Sequence, residues 1–190
     1  VYNKYFSLES DSEEFINEKS SESVFVSKYL NRHCDKIKSL SEDLLRLPTA
    51  EEMFFLQTDR FFNAFTFIPL IAKNQRIKEL YISASDIDLT VINALFELQD
   101  YGLIDSIFFV ISNFSKDKTI HETLYDRQKS NGNLFFKYNR NNTKICLMLT
   151  DRNYFVVEGS GNWSESKLME QYCFINSKEI FDFRKKLFTE

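Results

Sequence analysis

The chain has 190 residues, 43% hydrophobic and 27% charged, which suits one ordinary domain with an appendage and excludes global disorder. Four Gly and two Pro against twenty Phe exclude collagen-like, Gly-rich and Pro-rich low-complexity classes. The net charge of −4 is uneven: residues 1–22 hold six acids and two bases, and the remainder balances at 22 of each, so the body advertises no strong field for nucleic acid or a membrane.

The elements follow in chain order. Residues 1–22, rich in Ser, Glu and Asp, read as an acidic flexible lead-in with no secretion signal in it. Across 23–48, Val24, Val26, Tyr29, Leu30, Cys34, Ile37, Leu40, Leu44 and Leu45 recur at three- and four-residue steps, predicting an amphipathic helix closed by Pro48. It is read first as a packing helix and second as a dimerisation element. From 49 to 190 a single domain is expected. Its alternation predicts a strand at 53–57, a helix at 59–73, a strand at 80–83, a helix from Asp88 to about Gly102, a buried strand at 104–112 and a helix at 116–129. After the Asn131-Gly132 turn come strands at 134–138, 143–149, 154–158 and 171–175, and a last helix at 177–188. The fold class is therefore α/β, a mixed sheet flanked by helices on both faces, with an N-terminal helical extension. The apolar run at 61–72 is broken by Asn63, Thr66 and Pro69 and is too short to span a bilayer. Cys34, Cys146 and Cys173 lack paired spacing, so buried free thiols, a reducing cytoplasm and no structural zinc are expected.

One stretch carries chemistry. Residues 143–160 read as a hairpin turning on Asp151-Arg152-Asn153. With Arg152 at its centre, Lys144 lies opposite Ser160 and Asn142 opposite Asn162, and period-two alternation puts all four on one face. A two-residue loop would shift this pairing by one. The run Gly159-Ser160-Gly161-Asn162 ends an apolar strand and allows close backbone approach by a ligand. An ammonium, a hydroxyl, a carboxamide and nearby N–H groups are what a phosphoryl oxygen needs. The bland alternative, a solvated lysine and an ordinary turn, stays open on spacing alone.

The block Asn142-Thr143-Lys144, then Gly159-Ser160-Gly161-Asn162 fifteen residues beyond Lys144, then Glu170-Gln171-Tyr172, resembles the phospholipase D superfamily. That family's signature is His-x-Lys, a strand, Gly-Ser-x-Asn and a later acidic residue. The resemblance spans about 53–188 and is to the small single-motif members of bacteria and mobile elements. It implies a metal-independent phosphodiesterase or nuclease, homodimeric, with a histidine nucleophile and no cofactor. Carried over, Lys144 and Asn162 hold the phosphate, Ser160 supports or joins that phosphate-binding cradle, and Glu170 is the orienting carboxylate.

The departures weigh against catalysis. Asn142 occupies the nucleophile position, and a carboxamide has no basic nitrogen with which to attack phosphorus or shuttle a proton. The family's Asp falls on Leu149, with Asp151 two residues further on at the hairpin tip, and the Lys-to-Gly spacing is about three residues longer than the common form. Asn142 reflects either natural loss or an engineered His-to-Asn change. Of the two histidines, His33 is expected at the surface of the long helix, and His121 in a solvated or capping role. Glu158 with Glu170 lacks a third ligand, so no metal site is expected. Arg127, Lys129, Lys137 and Arg140 either line a groove for DNA or RNA or merely solvate the surface. Three functions follow: a disabled nuclease-type enzyme, a non-catalytic module binding phosphate, nucleic acid or protein, and a structural protein carrying a relic site. None of them calls for a membrane.

Overall fold

The computed structural model describes residues 46–58, 63–113, 117–164 and 169–189. The acidic lead-in, the amphipathic segment up to residue 45, His33 and Cys34 lie outside the described residues, as do the first residues of the helix expected at 59–73. In chain order the elements are β1 (Glu52–Thr58), a 3-10 turn (Ala64–Thr66) running into α1 (Phe67–Ala72), β2 (Ile77–Ala84), α2 (Leu89–Asp100), β3 (Ile104–Ser112), α3 (Lys118–Ser130), β4 (Leu134–Asn139), β5 (Ile145–Leu149), β6 (Tyr154–Gly159), β7 (Glu170–Asn176) and α4 (Lys178–Thr189). The strands form one seven-stranded sheet in the order β1-β7-β6-β5-β2-β3-β4. β2, β3 and β4 are parallel, and every other pairing is antiparallel.

The layering follows from handedness. The crossovers β2–α2–β3 and β3–α3–β4 step the same way across the sheet, so right-handed connections place both helices on one face. There α1, α2 and α3 bury Phe67, Ile71, Val91, Leu95, Ile120 and Leu124 against Leu80, Ile82, Ile107, Phe109, Cys146, Met148, Phe155 and Phe174. The opposite face carries α4, whose Phe181 packs on Tyr81, Ile145, Leu147, Val156 and Ile175. Alternation along β5 and β6 sorts the two sets: Cys146 and Met148 go one way, Ile145 and Leu147 the other. Asp117 caps α3 as its side chain accepts from Ile120 N at 3.0 Å. Cys146 is fully buried and Cys173 half-buried, both as free thiols, and burial pushes the Cys146 thiol up.

The hairpin register differs from the expected one. Ile145 pairs with Glu158 and Leu149 with Tyr154, so Lys144 falls opposite Gly159, one residue short of Ser160. The turn explains the shift. Thr150 N donates to Asn153 O at 3.0 Å, and the Thr150 hydroxyl accepts from Asn153 N at 3.1 Å, closing a two-residue loop at Asp151-Arg152. Strict alternation from this register would place Asn142 and Lys144 on the face away from Ser160 and Asn162. These residues lie beyond the strand ends, however, where the pleat no longer dictates direction.

Candidate phosphate site

The site lies where the parallel strands β2 and β3 end, the edge at which α/β sheets hold their ligands. After β4 the chain must cross the ends of β3 and β2 to reach β5, and one side chain fixes that crossing. Asn141 Nδ2 donates to Ser83 Oγ at 2.7 Å, Val110 O at 3.2 Å and Ala84 O at 3.3 Å. Its Oδ1 accepts from Thr143 N at 2.9 Å and Thr143 Oγ1 at 2.7 Å. The exposed Asn142 is thus presented from a clamped loop. Lys144 Nζ donates to Asn142 Oδ1 at 3.4 Å, and among the described residues this ammonium has no carboxylate partner. With its oxygen turned to Lys144, the Asn142 carboxamide keeps its NH2 for another acceptor.

The Gly-Ser-Gly-Asn segment continues β6 beside this pair, with Gly159 N donating to Lys144 O at 3.4 Å. Ser160 is tied to β7: its N donates to Gln171 O at 3.1 Å, its Oγ accepts from Gln171 N at 3.1 Å, and its hydroxyl donates to Glu170. Ser160 therefore fixes the segment rather than offering a free donor, and the buried Glu170 holds a serine rather than an imidazole. Asn162 Oδ1 accepts from Ser85 Oγ at 2.9 Å, which turns its NH2 away from Ser85. Sequence reasoning missed Ser85. The next residue, Trp163, is wholly buried and bridges to Ile87, its N donating to Asp86 O at 3.2 Å and its O accepting from Asp88 N at 3.0 Å. The β2–α2 loop and the motif segment are thereby joined. No hydrogen bond links Lys144 to Ser160, Asn162 or Glu170; they share an edge of the sheet, each held by its own partner.

The two glycines have a structural task. A methyl on Gly159 would overlap Gln171 O and the Tyr172 ring, and one on Gly161 would overlap the Tyr172 hydroxyl. The close approach expected of a ligand is thus made by Tyr172. Burial, with the Glu170 charge adding, pushes its phenol up.

The other candidates fall elsewhere. Asp151 pairs with Lys78 at 2.6 Å at the hairpin tip, the opposite end of β5 from Lys144. Leu149 is a half-buried strand residue beside the α4 core. Glu158 points to the α4 face, where Arg184 binds it at 2.5 and 2.7 Å. His121 is half-buried within α3 and is not its cap: its ring lies 5.7 Å from Tyr138, 5.8 Å from Phe136 and 6.3 Å from Tyr125. Its β4 neighbours are three strand spacings, roughly 14 Å, from β5. Arg127 is bound to Asp100 at 2.5 Å and lies over Phe96, and Lys129 sits 4.3 Å from the centre of the Tyr125 ring. Lys137 and Arg140 make no ion pair among the described residues. Among those residues no group of three His, Cys, Asp or Glu side chains is placed to hold a metal ion, and no helix is long and apolar enough to cross a membrane.

No protein-family model and no curated protein matches the sequence. Solved structures match in fold. Polyphosphate kinase from Porphyromonas gingivalis superposes with a TM-score of 0.54 at 12% identity, over 72% of this chain and 25% of that one. The phospholipase D family member Nuc from Salmonella typhimurium superposes with a TM-score of 0.53 at 15% identity, over 73% of this chain and 91% of that one. The chain thus spans a quarter of the polyphosphate kinase and nearly all of Nuc. The fold is phospholipase D-like.

Proposed function

We propose that this protein grips the phosphates of nucleic acid as a homodimer, without a metal ion, and does not cleave them by the histidine-nucleophile route of the family it resembles. One observation carries the reading: an ammonium with no carboxylate partner among the described residues, Lys144, sits beside a carboxamide at the position where the family places its nucleophile. An uncompensated cation next to amide N–H groups attracts an oxyanion. Attack on phosphorus needs a group with a basic lone pair, and the carboxamide of Asn142 has none. Asn162, its carbonyl held by Ser85, offers a second amide donor. Two copies about a two-fold axis would bring two such sets to one phosphodiester.

A second reading is favoured by the same residue, because Asn approximates His in shape. In it the chain is an enzyme disabled at one position, by natural loss or by design. Incubation of the purified chain with labelled single-stranded DNA and RNA in chelator tests both. The binding reading expects no product from the parent or from Asn142→His. Product from Asn142→His alone supports the disabled enzyme, and product from the parent overturns both.

A further inference from the structure

We infer that the groove beside the Gly-Ser-Gly-Asn segment is a base-binding subsite for single-stranded nucleic acid. The groove is open, about 470 Å³, and is lined by Phe55, Gln57, Glu158, Gly159, Gln171 and Cys173 among others. It lies on the α4 side of the sheet, over β1 and β7, where Phe55 stands opposite Cys173 and Gln57 opposite Gln171. Phe55 is 78% exposed, an unusual state for a phenyl ring in the middle of a strand.

The chemistry of the lining selects the ligand. Glu158 is neutralised by two hydrogen bonds from Arg184, so the groove does not repel a polyanion. The exposed phenyl offers a face for stacking, which every base accepts. Gln57 and Gln171 offer amide donors and acceptors for base edges. Among the described residues Gln57 Nε2 donates only to the thioether of Met169, a weak acceptor, and the Gln171 side chain makes no hydrogen bond. The groove borders the motif segment, because both backbone groups of Gln171 bond to Ser160 and Gly159 lines the groove. Phe55 lies three strand spacings, roughly 14 Å, from β5, so a nucleic-acid strand whose phosphate lies at Lys144 would place on it a base further along the strand rather than the adjacent one. A bare anion would use none of these groups.

This inference rests on the phosphate reading, and its test keeps the two apart. The full chain is titrated with inorganic phosphate, with a fluorescent oligothymidylate, and with an abasic oligonucleotide of the same length. One stacked base corresponds to about a 5- to 160-fold gain, so the oligothymidylate is expected to bind about tenfold tighter than the abasic strand. Phe55→Ala should erase that difference and leave phosphate binding unchanged, whereas Phe55→Trp should keep it. Equal affinity for the two strands, or no effect of Phe55→Ala on their ratio, overturns the subsite. A Phe55→Ala variant that changes oligomeric state without changing the ratio also overturns it and assigns the ring to contact between copies. Failure of the phosphate reading shows separately, as phosphate binding that Lys144→Ala leaves intact.

Discussion

Gly161→Ala perturbs the motif segment without touching any of its polar groups. The added methyl would overlap the Tyr172 hydroxyl and lie 3.1 Å from Tyr172 Cζ and 3.5 Å from Glu170 Cδ. Tyr172 is 3% exposed, and its ring packs 5.4 Å from Phe67, so it cannot swing aside. Overpacking of this kind costs about 1–3 kcal/mol. For a domain of this size that lowers Tm by about 2–12 °C. Tyr172→Phe removes the overlapping atom, so Gly161→Ala should cost about 1 kcal/mol less in that background, a coupling a double-mutant cycle resolves. Gly159→Ala is the control: its methyl meets the backbone oxygen of Gln171, which Tyr172→Phe does not move, so part of its penalty must persist. Urea unfolding followed by the fluorescence of Trp163, the single tryptophan and fully buried, gives the four free energies. Equal costs of Gly161→Ala in both backgrounds would refute the packing of Tyr172 across the motif glycines.

Further outcomes follow from the same geometry. Asn141→Ala strips partners from Ser83, Ala84 and Val110 at the ends of β2 and β3; unfolding should show a loss of about 2–3 kcal/mol, since buried polar groups are left unsatisfied. At Glu79, burial raises the carboxyl, but hydrogen bonds from Lys185 and Tyr81 outweigh it and hold the group below its ordinary value. A depressed carboxylate stabilises above its unfolded pKa, about 4.3, and that contribution is lost as pH falls through the folded value. Melting curves of the parent and Glu79→Gln should therefore differ at pH 7 and converge in acid; a gap that widens in acid would contradict this sign.

Much of the fold was legible because it rests on local pattern. The apolar run at 104–112 became the strand between β2 and β4, and the period-3.6 segments became α2, α3 and α4. Strand β2 ran longer than expected, from Ile77, because the charged Lys78 and Glu79 obscured its start; Glu79 faces α4 and is held by Lys185. The hairpin register was not legible because a single hydroxyl, that of Thr150, decides between a two- and a three-residue turn. At the site, Lys144, Asn142, Ser160, Asn162 and Glu170 were singled out by their order along the chain; they lie at one end of the sheet, with Lys144 against Asn142, Ser160 against Glu170 and Asn162 against Ser85. Their supports were not found. Asn141 and Ser85 look like ordinary loop residues until the ends of β2 and β3 meet the motif segment. Ser160 resembles a free donor until β7 lies alongside it. Phe55 reads as half of a strand's alternation, and its exposure shows only once α4 is seen to pack chiefly on β6, β3 and β5.

The most direct measurement is the affinity of the full chain and of Lys144→Ala for one short single-stranded oligonucleotide, at two salt concentrations. The variant should bind at least tenfold more weakly at low salt, with a salt dependence reduced by about one counterion. Indistinguishable affinities and slopes would contradict a phosphate held by that ammonium.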